Sequence, residues 1–266
     1  MGRMLVVVPV SRHDAGLIYS FCGAMNFFAP YSEHSLLVVS RPSDKDFANR
    51  AFNLLSGAGF KDSQMHLFAD DGNEGWPQGP NHYWVRTIEH LRAIENKLAW
   101  LWLEMDSCPL QNNWLDKIDE DHQKGGKPFS GVKTRIPNVP EHVTGVAVYP
   151  AQIPFDVSAA LHTPKAFDVL FANIIVPETH ETKLIHHNYH SREYHCVSGE
   201  WACTSEREAE EYIPRTACLL HGVTDGSLAV EIIGQPKFAL ARIDNRPLLS
   251  NGLLHRHNQR ASRYQR

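Results

Sequence analysis

No apolar run in the 266-residue chain approaches the roughly 20 residues that a bilayer-spanning helix needs, so no membrane span is expected. The first apolar stretch, Leu5 to Val8 before Pro9, lacks a small-residue cleavage site after it and reads as a first strand rather than a signal peptide. There is no Cys-x-x-Cys pair. Cys22, Cys108, Cys196, Cys203 and Cys218 are odd in number and irregular in spacing, which argues against a disulfide framework or zinc ribbon and for a reducing cytoplasm. A basic excess is also missing: the net charge of −4 leaves no overall footprint for nucleic acid. Internal repeats and long linkers are absent. At 42% hydrophobic residues the chain can bury a substantial core, and one compact domain is expected over residues 1–250.

What is present begins as an alternation of strand and helix signals. Leu5 to Val10 reads as a strand, and Asp14 to Phe28 carries a helical pattern through Leu17, Ile18, Phe21 and Met25. Ser35 to Ser40 is a second strand. Asp44 to Ala58 repeats the helical period and stops at Gly57 and Gly59. A short strand over Gln64 to Phe68 precedes a turn-rich loop from Asp70 to Pro80, and a helix follows from Asn81 to Asn96. This alternation predicts an α/β fold, a mostly parallel sheet with crossover helices. The second half is less regular. Helices are expected over Trp114 to His122 and Ala166 to Ile174. Strands are expected at Pro128 to Gly131, Val143 to Tyr149 and Thr182 to His186, while Leu228 to Ile233 suits either state.

The stretch that carries most chemistry is Ala99-Trp100-Leu101-Trp102-Leu103-Glu104-Met105-Asp106. Its apolar part reads as a buried strand ending at the carboxyl edge of the sheet, where open α/β sheets keep their ligands. On a strand, Glu104 and Asp106 project to the same side. Two such carboxylates repel unless a cation or a shared proton lies between them, and a hard divalent metal carrying phosphates is the usual solution. Sixteen histidines is a high count. His186, His187 and His190 cluster around Tyr189, with His180 and His195 nearby; no ligand spacing singles out a metal site, and a polar or acceptor-facing loop is expected. The last residues, His255 to Arg266, carry four arginines and no acid. They read either as a solvated tail or as an electrostatic arm for a polyanion such as DNA.

The acid-X-acid triplet after an apolar strand resembles the metal-binding motif of nucleotide-sugar glycosyltransferases with the GT-A fold. Five further stretches join the resemblance. Val6 to Ser11 looks like the opening strand and turn beneath the donor base, with Asp14 placed to accept from base or ribose; Asp14 is equally an N-cap. Gly75-Trp76-Pro77-Gly79-Pro80-Asn81 looks like the glycine-rich entry to a helix that bears Arg86 near donor phosphates. Pro109, the Trp114 to Ile118 helix and Pro128 to Gly131 resemble a branch found in bacteriophage and bacterial genomes. His142 to Pro150 looks like that branch's acceptor-side strand, in which Gly145 would let substrate approach. Leu219-Leu220-His221-Gly222 resembles the segment whose histidine completes the metal shell, although Thr224 and Asp225 stand where a phosphate-binding lysine is common. Arg215 or Lys237 would supply that charge instead.

The resemblance implies a GT-A-like, Rossmann-type sheet with a donor half over about 1–110, an acceptor half over about 111–250 and a basic tail at 251–266. It implies Mn2+ or Mg2+ on Glu104, Asp106 and His221. A nucleotide sugar, UDP-linked as is common in the fold, would lie against Pro9, Val10, Ser11, Asp14, Asn81, Arg86 and Glu104. Asp168, then Asp156, are the candidates for a catalytic base; either suits a helix cap as well. The phage-like branch implies two acceptors: a 5-hydroxymethylpyrimidine such as 5-hydroxymethylcytosine in phage DNA, or a cell-surface glycan or its precursor. The first places the enzyme in the cytoplasm of a host cell and requires base flipping. A sugar-nucleotide pyrophosphorylase is a competing class, disfavoured because Ser11-Arg12-His13-Asp14-Ala15-Gly16 has one glycine only. A non-catalytic binding module, with Trp76, Tyr83, Trp84, Tyr189, Tyr194 and Trp201 as stacking surfaces, is a third. Donor sugar, stereochemistry and oligomeric state are not encoded in any motif.

Overall fold

The computed structural model describes residues 3–69, 72, 75–135, 138–187, 193–197, 200–204, 210–223 and 226–234. Strands and helices alternate through the first half: β1 (Leu5–Pro9), α1 (Ile18–Phe27), β2 (Ser35–Ser40), α2 (Lys45–Ser56), β3 (Asp62–Leu67), α3 (Gln78–Ala93) and β4 (Trp100–Trp102). Then follow β5 (Ser107–Pro109), α4 (Trp114–Gly125), β6 (Phe129–Thr134), β7 (His142–Tyr149), α5 (Phe167–Leu170), α6 (Ala172–Ile175), β8 (Thr179–Glu181) and β9 (Ile185–His187). The described chain ends with β10 (Glu193–Val197), β11 (Glu200–Thr204), β12 (Glu210–Tyr212), β13 (Leu219–His221) and α7 (Ser227–Gly234).

Among the described residues, seven strands form one sheet in the order β3-β2-β1-β4-β7-β6-β8. The β3-β2-β1-β4 run is parallel, and β7 is antiparallel to both β4 and β6. β1 explains why the sheet is covered on both sides. Its alternate residues split: Val6 and Val8 join a core with α1 and α2 residues such as Phe21, Met25, Ala51 and Leu55, while Leu5 and Val7 join one with Trp84, Val85 and Ile88 of α3. Helices therefore lie on opposite faces, and the order of connection reverses between β1 and β4. That reversal opens a crevice at the carboxyl ends of the strands.

Two smaller sheets complete the described fold: β10-β11-β12, and β5-β13-β9. In the latter, β13 is the middle strand, antiparallel to β5 and parallel to β9.

Several expected elements differ in extent. The helix expected from Asp14 begins at Ile18, because Asp14 closes a separate 3-10 turn over Arg12–Asp14. Its Oδ2 accepts from the Ser11 amide at 2.9 Å and the Ser11 hydroxyl at 2.7 Å. The single helix expected over Ala166 to Ile174 is two short ones. Phe171 leaves helical geometry between them and packs against Trp84 and Phe155. The late strand expected at Thr182 to His186 falls at Ile185–His187. The ambiguous Leu228 to Ile233 segment is helical, and Gly226, at φ +69°, lets it approach Ser20 of α1.

Candidate functional site

β4 stops at Trp102, so Glu104 and Asp106 are not strand residues as the sequence suggested. A turn holds them instead: the Ser107 amide donates to the Glu104 carbonyl at 3.0 Å and starts β5. The pairing of β5 with β13 sets Ser107 opposite His221. The Asp106 carbonyl accepts from the Gly222 and Val223 amides at 3.1 and 2.7 Å, locking the end of β13 onto the same turn. The three side chains meet. His221 Nε2 lies 3.2 Å from Glu104 Oε2 and 3.5 Å from Asp106 Oδ1, and one ligand atom from each lies within 4.8 Å of the others.

Glu104 is fixed from three sides. The Trp102 indole donates to its Oε1 at 3.0 Å, His221 bonds Oε2, and β7 backs it at Gly145. A Cβ at position 145 would stand 2.6 Å from Glu104 Oε1. The glycine was expected to admit substrate; it admits the Glu104 carboxylate.

The local electrostatics are dominated by acid. Glu104 acts on Asp14, Asp106 and Asp168, Asp14 acts on Asp106 as well, and His221 is the counter-charge that Glu104, Asp106 and Asp168 share. Burial, and then the charge of Glu104, raises Asp106 to about 6. Burial also raises Asp14 and Asp168. Burial pushes Glu104 upward as well, but the hydrogen bond and charge of His221, with the Trp102 bond, hold it below the usual range. For His221 burial opposes protonation, and the surrounding carboxylates outweigh it, so its pKa rises. Asp106 Oδ1 is buried without a hydrogen-bond partner. A buried, orphaned carboxylate oxygen is costly. Two carboxylates and an imidazole converging beside it form a donor set that fits a divalent cation such as Mn2+ or Mg2+.

From this cluster a cleft of about 490 Å3 runs along the strand ends. Pro9, Val10, Ser11 and Asp14 line it from the end of β1, Arg41 and Asp44 after β2, and Gly75, Trp76, Gly79, Pro80 and Tyr83 around the start of α3; Glu104 and Asp106 line it as well. Arg12 Nε pairs with Asp44 at 2.6 Å. The Tyr83 hydroxyl lies 3.0 Å from the Val10 carbonyl and 3.3 Å from Asp44 Oδ2, beneath the Arg41 guanidinium. Trp76 stands at the mouth, 75% exposed.

No family model matches the chain, and no curated protein does by sequence. Solved structures match it in part. A galactosyltransferase, LgtC, solved with donor and acceptor sugar analogues, is 10% identical over 69% of this chain and 76% of its own, at a TM-score of 0.49. Mouse xyloside xylosyltransferase 1 is 12% identical over 70% of this chain and 87% of its own, at 0.45. S. aureus TarS, also solved with UDP-GlcNAc, is 14% identical over 92% of this chain but only 41% of its own, at 0.44. The likeness is one of fold. What the site can do follows from its own residues.

The remaining sequence candidates separate. Asp168 sits at the start of α5, carried there by the stack of Phe167 on Trp84 at 4.6 Å, and interacts with Glu104 and His221. Asn81 and Arg86 do not line the cleft. Asn81 is fully buried and its amide is spent: Nδ2 donates to the Ala160 and Lys165 carbonyls at 2.9 and 2.8 Å, and Oδ1 accepts from the Phe167 amide at 2.8 Å. Arg86 pairs with Glu89 at 2.7 Å on its own helix. Asp156 accepts from the Ser158 amide and hydroxyl at 2.9 and 3.0 Å and caps an exposed turn. Arg215 is exposed and does not line the cleft. Tyr189, His190, Thr224, Asp225, Lys237 and the 251–266 tail lie outside the described residues, as do the side chains of Tyr194, His195 and Trp201. Sequence reasoning missed the Arg12–Asp44 pair and the buried Arg41, and it set His187 in a polar loop rather than beside His221.

Proposed function

We propose that this chain is a metal-dependent glycosyltransferase that moves a sugar from a nucleotide-sugar donor, UDP-linked, to a hydroxyl acceptor. The observation that carries this reading is the Glu104–Asp106–His221 cluster, with its orphaned Asp106 oxygen, beside a cleft of about 490 Å3. Glu104, Asp106 and His221 would hold Mn2+ or Mg2+. When bound, the ion neutralises charge that grows on the departing diphosphate. Pro9, Val10, Ser11 and Asp14 seat the nucleoside, with Arg12, Arg41, Asp44 and Tyr83 closing that end of the cleft. Asp168 faces the cluster from the acceptor half and takes the proton of the attacking hydroxyl. Burial raises its pKa, which brings a carboxylate closer to an effective general base.

The acceptor we assign is a 5-hydroxymethylpyrimidine in DNA, such as 5-hydroxymethylcytosine. Its support is the arginine-rich sequence at 255–266, which suits a polyanion. The test is nucleoside diphosphate release from a panel of nucleotide sugars with Mn2+, with and without DNA carrying 5-hydroxymethylcytosine, in wild type and Asp106→Ala. The expected result is release that rises with the modified DNA and falls by at least 100-fold in the variant, about the loss of one strong electrostatic partner in a transition state. Release indifferent to DNA would move the acceptor to a surface glycan. Pyrophosphate in place of nucleoside diphosphate, or no turnover with any donor, would refute the transferase.

A further inference from the structure

His187 is the last residue of the described run that precedes β10, and sequence alone places it in a polar histidine-rich loop. The fold places it elsewhere. β9 runs parallel to β13 with Ile185 beside Leu219 and His187 beside His221. The register brings two imidazoles together, with ring centroids 4.5 Å apart and Nδ1 to Nδ1 at 2.8 Å. At that distance one proton, and only one, lies between the two nitrogens.

We propose that His187 is a positioning residue that sets the tautomer and the ring plane of His221 for cation binding. The inference rests on the reading of Glu104, Asp106 and His221 as a metal site. A neutral imidazole offers one lone pair. His221 Nε2 is the nitrogen that faces Glu104 and Asp106, so it must be the one left unprotonated when a cation is held there. The His221 proton then sits on Nδ1 and is donated to His187 Nδ1. His187 in turn carries its own proton on Nε2. Strand pairing supplies the rigidity: β9 and β13 are hydrogen-bonded along three paired positions, so the acceptor cannot drift from the donor. A metal-bound histidine whose second nitrogen has a fixed acceptor binds more tightly than one without, typically by 10- to 100-fold.

The experiment is Mn2+ titration of the full chain, followed by the free-ion EPR signal, for wild type, His187→Phe, His187→Asn and Asp106→Ala. Asn places an oxygen acceptor near the position of Nδ1, whereas Phe keeps the ring and removes the acceptor. Expected are a loss of affinity of about tenfold or more in His187→Phe and recovery to within about threefold of wild type in His187→Asn. Equal affinity in all three, with Asp106→Ala impaired, would overturn the role of His187 and leave the metal site standing. No Mn2+ binding by wild type would instead remove the metal site itself. If His187→Phe does not fold, long-range nitrogen NMR of the Mg2+-loaded wild type decides: an unprotonated His187 Nδ1 supports the assignment, and a protonated one overturns it.

Discussion

Replacing Gly145 by alanine tests the geometry of the cluster without touching any group that bonds a ligand. The added methyl would lie 2.6 Å from Glu104 Oε1, against 3.4 Å for ordinary contact, so about 0.8 Å of separation must be found. β7 is held close by, because Ala147 and Val148 are buried and pair with β4 on one side and β6 on the other. The far end of the Glu104 side chain gives way instead. Its retreat strains the bonds from the Trp102 indole and His221 and moves one carboxylate of the proposed ion site by most of an ångström. A shift of that size at a reacting centre costs up to about 100-fold in rate. The cost in folding free energy is small, on the order of 1 kcal/mol, since a flexible side chain takes up the clash and alanine suits a strand better than glycine. The assay pairs Mn2+ affinity and kcat with a calorimetric melt. Expected is a 10- to 100-fold loss of kcat (an order-of-magnitude figure) with weakened Mn2+ binding and a near-unchanged melting temperature. Wild-type metal affinity and turnover in this variant would refute the claim that Glu104 is seated by the missing Cβ.

Other consequences are equally direct. Asn81→Ala removes three hydrogen bonds, two of them buried, that tie α3 to the start of α5 and the segment before it; at about 1 kcal/mol each the loss is roughly 3 kcal/mol. Calorimetry should then show a melting temperature lower by roughly 6–12 °C, and an unchanged one would deny Asn81 its structural role. Trp76→Ala should leave stability unaltered, because the ring is 75% exposed, and raise the donor KM about fivefold, equivalent to about 1 kcal/mol of stacking. An unaltered KM would take Trp76 out of the site. Mn2+ binding should weaken as pH falls, since His221, whose pKa is raised, and Asp106, at about 6, must both shed protons to ligate. Calorimetry in buffers of different ionisation enthalpy should register proton release on binding, and pH-independent affinity would contradict it. Without metal the sign reverses for stability. Asp106 binds its proton more tightly folded, at about 6, than at its ordinary 3.8, so its contribution is full below 3.8 and is lost as pH rises through 6. Saturating Mn2+ should erase that decline in a thermal melt.

The parallel half of the sheet was legible because its signals are local. Val6 to Val8, Leu36 to Val39 and the periodic faces of α1 and α2 each announce their own element. That Glu104 and Asp106 come together was legible from their spacing, although the geometry that brings them together was not. A strand was expected to aim them together, whereas a turn closed by the Ser107 amide does so. Asn81 and Arg86 have side chains suited to phosphate, but nothing in their neighbourhood reveals that residues 160–167 and Glu89 already occupy them. The meeting of His187 with His221 was invisible for a related reason. The two are 34 positions apart, and only the β9–β13 register makes them neighbours.

That register also orders events during synthesis. His221 arrives on the middle strand of its sheet, 117 positions after Glu104. Until Leu219–His221 leaves the ribosome, β5 and β9 have no strand between them, and each presents an unpaired edge of the kind that recruits other chains. The acids after β4 likewise wait without the imidazole that offsets them. Insertion of three residues therefore covers two edges and completes a charge cluster in one step, so a product that stops short of Leu219 carries open edges and unbalanced acid together. Such a chain is marked for aggregation or proteolysis by the same strand whose arrival would have made it competent.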